Sequence, residues 1–213
     1  MVTIYYAFVN TLLENKSVTY GDAQLPVEIS SRIAAYNSPK ERALRIAGKR
    51  LLGLLLDDHV PRQSLTLENL AYDEWGKPYF PGNKIKFSMA HSGTLAICAL
   101  ADNSQSIGID VEEIKPVRLA DVEDYLTIQE RAYLNEVPDP KSSFYNLWTR
   151  KEAILKASGN GVGIPFAQVE VLNNPSILNA QNWHWQAVPV NPDYCIHLAT
   201  ALPEKYQIRE ITF

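Results

Sequence analysis

The hydrophobic and polar positions of this chain predict an alternation of strands and helices. Runs of β-branched, aliphatic and aromatic residues predict the strands, at 3–10, 84–89, 94–101, 106–113, 168–172, 184–190, 194–201 and 207–212. Apolar residues at helical spacing predict the helices, at 26–36, 39–57, 119–125, 128–134 and 144–158. The helices at 39–57 and 144–158 are the long ones, and strands follow each of them.

The two halves of the chain have a similar character. The runs 94–102 and 194–202 resemble each other, and each belongs to a half with one long helix. We therefore predict an α+β (α/β) fold of two similar, pseudo-symmetric halves, residues 1–105 and 106–213. Each half is expected to hold a small antiparallel sheet packed on its long helix. Clefts between domains are preferred ligand sites, so the active site is expected at the junction.

Composition excludes several classes of protein. The 213 residues are 46% hydrophobic and 21% charged, which is enough to bury a core, and the formal net charge of −4 argues against bulk nucleic-acid binding. The two cysteines have no metal-site spacing. No apolar run is long enough for a membrane span, and the N-terminus lacks the pattern of a signal peptide. We expect a cytoplasmic enzyme.

The helix predicted at 144–158 carries a line of functional candidates. Trp148, Glu152 and Lys156 are spaced four residues apart and therefore lie on one face. Gly159 is a typical residue for ending the helix. A carboxylate and an ammonium one turn apart are most often a solvated ion pair, and this interpretation stays open for Glu152 and Lys156.

The predicted strand at 106–113 carries two acids on one face. Its apolar residues alternate with Gly108, Asp110 and Glu112, so both carboxylates are expected to project from the face opposite the apolar set. With Glu152 from the helix, they would supply three hard oxygen ligands, which suit Mg²⁺. The alternative is a strand whose outer face is simply in contact with water.

Basic residues suggest contacts to phosphate groups. Arg42, Arg45 and Lys49 share one face of the first long helix, which indicates either a solvated surface or a phosphate clamp. Lys77 lies on a loop stiffened by flanking glycine and proline. His91 is expected at the tip of a hairpin, where small neighbours would let an anion approach the backbone.

Four motifs together resemble the Sfp-type 4′-phosphopantetheinyl transferases. They are Trp75-Gly-Lys-Pro78, Phe87-Ser-Met-Ala-His-Ser92, Ile107-Gly-Ile-Asp-Val-Glu112 and Leu147-Trp-Thr-Arg-Lys-Glu-Ala153 continued through Lys156 and Gly159. The resemblance implies this family's pseudo-dimeric fold, with coenzyme A bound between the halves. It also implies transfer of the 4′-phosphopantetheine arm of coenzyme A to a serine of an apo acyl or peptidyl carrier protein, with release of adenosine 3′,5′-bisphosphate.

The resemblance assigns the acidic candidates residue by residue. Asp110, Glu112 and Glu152 match the acids of the family's Mg²⁺ site, and Lys156 matches a lysine on the pyrophosphate. Glu130 matches a second acid proposed as a base in some members. Glu152 or Glu130 could accept the serine proton, and we favour Glu152.

The resemblance also assigns the contacts to coenzyme A. Lys77 and His91 match residues on its phosphates. The arginine of the first long helix aligns only with a one-residue shift, so Arg45 is our first choice and Arg42 the second. Ala90 stands where the best-known bacterial relatives have serine, and one phosphate hydrogen bond is therefore absent or replaced.

Two other functions remain as alternatives. A Mg²⁺-dependent nucleotide pyrophosphatase would need the same acids with water as acceptor. A non-catalytic protein that binds coenzyme A or a carrier would need no converging carboxylates. The identity of the carrier protein is left open by the sequence, and the internal duplication favours a monomer.

Overall fold

The computed structural model describes residues 1–9, 25–60, 65–103, 105–159 and 163–213, and every statement below concerns these residues. The α-helices are α1 (Val27–Ala34), α2 (Pro39–His59), α3 (Ile128–Glu136) and α4 (Pro140–Ser158). The strands are β1 (Val2–Phe8), β2 (Ala71–Tyr72), β3 (Pro78–Tyr79), β4 (Lys86–Ser92), β5 (Leu95–Ala101), β6 (Ile107–Glu113), β7 (Ser176–Leu178), β8 (Gln181–Ala187), β9 (Tyr194–Thr200) and β10 (Tyr206–Glu210). Contacts divide the chain into two compact units, one of residues 1–104 with 205–213 and one of residues 105–204.

The first unit is a four-stranded sheet covered by α2. Its strand order is β10-β1-β5-β4, in which β1 is parallel to β10 and antiparallel to β5. Helix α2 begins where Ser38 accepts a hydrogen bond from the backbone N–H of Glu41 and Pro39 takes the first helical position. Leucines of α2 are buried in one core with residues of β5, among them Leu51, Leu52 and Cys98.

The second unit is a four-stranded sheet packed on α4. Its strand order is β6-β9-β8-β7, with every neighbouring pair antiparallel. Helix α4 begins at the Asp139 cap and ends at Gly159, whose φ of 78° is the left-handed conformation that glycine adopts most easily. Phe144, Leu147 and Ile154 of α4 are buried in the core of this unit.

The predicted α+β class is confirmed by these two sheets and their long helices. The similar runs become β5 and β9, each an inner strand of its sheet and each packed against the long helix of its own unit. The predicted boundary differs at one end, because β10 pairs with β1 and so belongs to the first unit. That pairing is also parallel, whereas we expected antiparallel sheets. The pseudo-two-fold relation of the halves stays a prediction.

One predicted strand is replaced by irregular structure. Residues 168–172 begin in a short 3₁₀ turn, Phe166–Gln168, and form no strand pairing. The backbone oxygens of Phe166 and Val169 instead accept hydrogen bonds from the Lys151 ammonium. The predicted helix at 119–125 is two 3₁₀ turns, and Asn10, predicted to end β1, lies outside the described residues. None of the helices in the described ranges combines the length and apolar character that crossing a membrane requires.

Candidate active site

Helix α4 lies directly on strand β6 because Gly108 has no side chain. A Cβ atom at Gly108 would lie 2.0 Å from the backbone oxygen of Ala153 and 2.5 Å from the backbone nitrogen of Ala157. Both distances are far below van der Waals contact, so no other residue fits without moving the helix. Gly108 with Ala153 and Ala157 therefore forms the contact line between helix and strand.

This contact determines which way the acids of β6 face. Alternate residues of a strand share a face, so Asp110 and Glu112 lie on the side of Gly108, beside the helix. Asp110 is only 4% exposed, and Glu112 is half-buried. The alternative, an outer face simply in contact with water, is therefore wrong for Asp110, because α4 covers that part of the strand.

Lys156 and Asp110 form an ion pair at this junction. Lys156 Nζ donates to Asp110 Oδ1 at 2.6 Å and to the backbone oxygen of Ile109 at 3.3 Å. Asp110 Oδ2 is buried, and no described residue gives it a hydrogen bond. Buried carboxylate oxygens are normally satisfied, so this oxygen has room for a further partner. Lys156 therefore lies with the acids, as the resemblance implied, and its ammonium is hydrogen-bonded to Asp110.

The charges of this cluster act on one another. Burial raises the pKa of Glu152, and the nearby carboxylates of Asp110 and Glu112 raise it further. Burial also raises the pKa of Asp110, while the Lys156 ammonium acts in the opposite direction. Burial alone would lower the pKa of Lys156, but the surrounding carboxylates outweigh it and the pKa is raised. Lys156 is therefore charged at neutral pH, and Glu152 is a stronger base than an ordinary glutamate.

The chemistry of the donor set fits a hard divalent cation. Three carboxylates and one ammonium carry a net charge of −2 when all are ionised, and Asp110 Oδ2 has an unused lone pair. As the side chains stand, no group of three acidic, histidine or cysteine residues in the described parts of the chain is arranged around one metal position. The assignment of Asp110, Glu112 and Glu152 to Mg²⁺ therefore stays a prediction.

Glu130 has a different environment from the one that a base needs. Its carboxylate forms an ion pair with Lys151 at 2.6 Å, and both side chains are 0% exposed. Its oxygens also accept from the backbone N–H groups of Thr127 and Val171. A fully buried carboxylate with these partners cannot easily receive a proton from a substrate. We therefore correct the candidate set and keep Glu152, not Glu130, as the proposed base.

In the first unit, Arg45 and His91 meet at one carboxylate. Glu41 Oε1 accepts from Arg45 Nε at 2.7 Å and lies 3.6 Å from His91 Nε2. The Arg45 guanidinium also stacks on the Tyr36 ring, with Cζ 3.9 Å from the ring centroid. Arg42 is directed elsewhere and donates to the backbone oxygen of Tyr36 at 2.7 Å. The geometry therefore favours Arg45 over Arg42 as the partner of His91.

The structure also locates the other basic candidates of the first unit. Lys77 is in the turn between β2 and β3, where Asp73 Oδ1 accepts from its backbone N–H at 2.8 Å. His91 lies within β4, opposite Ala96, and not at the hairpin tip. Lys49, predicted on an open basic face, is only 8% exposed because α2 packs that side against the core.

Two residues of this site were not predicted from the sequence. Lys151 falls four residues after Leu147 and three before Ile154, so its helical position on the buried face was a usable signal. Gly108, a glycine inside a strand pattern, could have been interpreted as a place of close backbone approach.

Comparison with known proteins bears directly on these motifs. Residues 106–206, which contain the acids and α4, match the 4′-phosphopantetheinyl transferase superfamily. The 4′-phosphopantetheinyl transferase Sfp of Bacillus subtilis (strain 168) is 31% identical over 166 residues, covering 71% of this chain and 73% of that protein. This chain belongs to the 4′-phosphopantetheinyl transferase family. The resemblance found in the motifs is thereby confirmed, and so is the predicted enzyme class, a phosphopantetheinyl transferase.

Further relatives cover smaller parts of the chain. The 4′-phosphopantetheinyl transferase gsp of Aneurinibacillus migulanus is 34% identical over 129 residues, which cover 56% of this chain and 52% of that protein. Among solved structures, Thermotoga maritima holo-(acyl-carrier-protein) synthase (AcpS) matches 45% of this chain and 61% of its own, at 22% identity and a TM-score of 0.37. A TM-score this low carries no argument about the fold.

Proposed function

We propose that this phosphopantetheinyl transferase moves the 4′-phosphopantetheine arm of coenzyme A to a serine of an apo carrier protein, in a Mg²⁺-dependent reaction that releases adenosine 3′,5′-bisphosphate. The observation that carries the proposal is the cluster of Asp110, Glu152 and Lys156 between β6 and α4. It lies within the part of the chain that matches the family.

The residues of the cluster have separate roles in this proposal. Asp110, Glu112 and Glu152 would hold Mg²⁺, which supplies positive charge to a pyrophosphate when it is bound. Lys156 keeps its charge at neutral pH and stabilises negative charge that develops on the phosphates. Glu152 accepts the proton of the carrier serine, directly or through water, and its raised pKa suits that role.

The first unit would hold the phosphates of coenzyme A. Arg45 is oriented by Glu41 and by the Tyr36 ring, so its guanidinium is already fixed before an anion arrives. His91, which shares Glu41 with it, is the second contact in the proposal, and Lys77 is the third. An incoming phosphate would compete with Glu41 for both Arg45 and His91.

The test is a panel of apo carrier proteins from fatty-acid, polyketide and peptide synthesis, incubated with coenzyme A, Mg²⁺ and the enzyme. Intact-mass spectrometry is expected to show at least one carrier gaining a phosphopantetheine group. Release of adenosine 3′,5′-bisphosphate without any carrier would instead support the pyrophosphatase alternative. Binding of coenzyme A without turnover would support the non-catalytic alternative.

The remaining expectations stay predictions. They concern a monomeric state, a cytoplasmic location and the absence of nucleic-acid or membrane partners. Size-exclusion chromatography with light scattering would measure the first of them.

A further inference from the structure

A histidine with no part in the proposed chemistry lies beside the acids. In the pairing of β6 with β9, His197 is opposite Asp110 and Cys195 is opposite Glu112. Residues directly opposite each other share a face, so His197 lies under α4 with the acids. It is 1% exposed, which excludes contact with a substrate.

The hydrogen bonds of His197 connect it to α4. Arg150 Nε donates to His197 Nε2 at 3.4 Å, and the Thr149 hydroxyl lies 2.8 Å from His197 Nδ1. An arginine can only donate, so Nε2 carries no proton and Nδ1 carries it. His197 therefore donates to Thr149, whose own hydroxyl donates to the backbone oxygen of Tyr145 at 2.8 Å. The ring N–H of His197 and the hydroxyl of Thr149 therefore each have an acceptor.

Aromatic packing holds the same group from another side. The Arg150 guanidinium stacks on Trp185, with Cζ 3.8 Å from the ring centroid, and the Trp185 ring meets His197 edge to face at 5.8 Å. Burial and the Arg150 charge lower the pKa of His197 to about 3. The ring is therefore neutral and fixed in one orientation.

The bonded residue of α4 belongs to the contact line of the helix. Thr149 lies four residues before Ala153 and eight before Ala157, so the three share one stripe along α4. One end of the stripe is fixed by the bond to His197, and the other by close contact with Gly108. Glu152 and Lys156 occupy the adjacent stripe, so any rotation of α4 about its axis would move both relative to Asp110.

We propose that Thr149 and His197 are positioning residues, whose hydrogen bond sets the rotation of α4 and thereby places Glu152 beside Asp110 and Glu112. Neither residue touches the substrate. The inference rests on the proposed function, because it assigns these residues to the placement of the proposed base and metal ligand. Groups that orient such ligands typically contribute 10–100-fold to metal affinity or activity.

Thr149→Val tests the proposal, because it keeps the shape of the side chain and removes the hydroxyl. We expect kcat for arm transfer to fall about 10–100-fold at saturating substrates, with KM for coenzyme A nearly unchanged. The apparent Mg²⁺ affinity, measured from the rise of Tm with Mg²⁺ concentration, should fall about tenfold. Thr149→Ser should restore both values, because serine retains the hydroxyl.

Two further variants complete the design. Thr200→Val makes the same change at a buried threonine of β9, away from α4, and should leave kcat and Mg²⁺ affinity unchanged. If Thr149→Val fails to fold, Thr149→Ala removes the same hydroxyl with a residue of better helix propensity. Its kcat and Mg²⁺ affinity are expected to fall as for valine.

The proposal is overturned if Thr149→Val or Thr149→Ala lowers Tm but keeps kcat per folded molecule and Mg²⁺ affinity. That result would make the hydrogen bond a matter of stability alone. If the wild-type protein transfers no arm to any carrier, the proposed function fails, and the Mg²⁺ titrations of wild type and variant still decide the positioning role. A wild-type Tm that does not respond to Mg²⁺ would overturn the positioning role, whereas the mass of the carrier proteins still decides whether the arm is transferred.

Discussion

Glu152 is held among charges of its own sign. Its pKa is raised by burial and by Asp110 and Glu112, so its ionised form makes the folded state less stable. The sign follows from linkage: this cost is present at pH values above the raised pKa and disappears as the carboxyl is protonated at lower pH. Such a cost at a site of proposed chemistry is typical of groups whose environment is tuned for function.

Glu152→Gln should therefore separate activity from stability. Arm transfer is expected to fall by about 10²–10⁴-fold because the proposed base is lost. Tm at pH 7 should stay the same or rise, because the neutral amide removes the unfavourable charge. Glu136→Gln, an exposed change at the end of α3, is the control and should alter neither quantity. Normal turnover by Glu152→Gln would disprove the role of Glu152.

Lys49 gives a second prediction at the scale of single residues. Burial lowers its pKa to about 8, from an ordinary value of 10.5, and the Tyr72 ring is its aromatic neighbour, with Nζ 5.5 Å from the centroid. Folding is therefore opposed by its charge at pH 7, where Lys49 is protonated in both states. The opposition fades as pH rises from about 8 to 10.5.

Lys49→Met should raise the free energy of unfolding at pH 7 by up to about 3 kcal/mol. Urea unfolding between pH 7 and 10.5 should show this gain shrinking as the pH rises. Lys40→Met, an exposed change on the same helix, serves as the control. A gain that does not vary with pH would show that packing, and not charge, is responsible.

At the scale of secondary-structure elements, the close packing of α4 on β6 determines where the functional side chains of α4 lie. The stripe of Thr149, Ala153 and Ala157 carries small residues where the helix meets the sheet, and Gly108 completes the fit. Large side chains on α4, such as Phe144 and Leu147, point into the core instead. The close approach is what places Lys156 within 2.6 Å of Asp110.

Gly108→Ala should disturb this approach. The new Cβ meets backbone atoms of α4, which cannot move aside as a side chain could. We expect a loss of about 3 kcal/mol in the free energy of unfolding, together with reduced arm transfer per folded molecule. Gly48→Ala in α2 is the matched control, because its Cβ would meet only Met89 Sδ at 3.8 Å. Equal effects of the two substitutions would contradict the close-packing explanation.

Helices α3 and α4 are joined by the ion pair of Glu130 and Lys151. Glu130→Gln should cost about 3–5 kcal/mol of stability in urea unfolding, because Lys151 would remain charged and buried without its partner. Arm transfer per folded molecule should stay within a few-fold of wild type. Asp121→Asn breaks an exposed pair with Arg118 and should give no measurable change in stability. Loss of turnover in a stable Glu130→Gln protein would restore Glu130 as a candidate base.

At the scale of the whole molecule, the features predicted correctly from the sequence are those that a short stretch of residues determines by itself. The Ser38 cap and the Gly159 end of α4 follow from short-range backbone chemistry, and both are present. The stripe of Glu152 and Lys156 follows from helical spacing. These features need no knowledge of what the element packs against.

The features that the sequence did not predict depend on distant contacts. The pairing of β10 with β1 joins the two ends of the described chain, and no local pattern specifies it. The burial of Glu130, Lys49 and Asp110 depends on which element covers each charge. A charged residue is exposed by default, so periodicity alone assigns these three to the surface.

The most direct test of the account is to count bound Mn²⁺ by electron paramagnetic resonance. We predict one Mn²⁺ per wild-type chain, displaced by Mg²⁺, with binding weakened at least about tenfold in Asp110→Asn, Glu112→Gln and Glu152→Gln. Wild-type protein that binds no Mn²⁺, or variants that bind it as tightly as wild type, would contradict the proposed convergence of these three acids on one divalent ion.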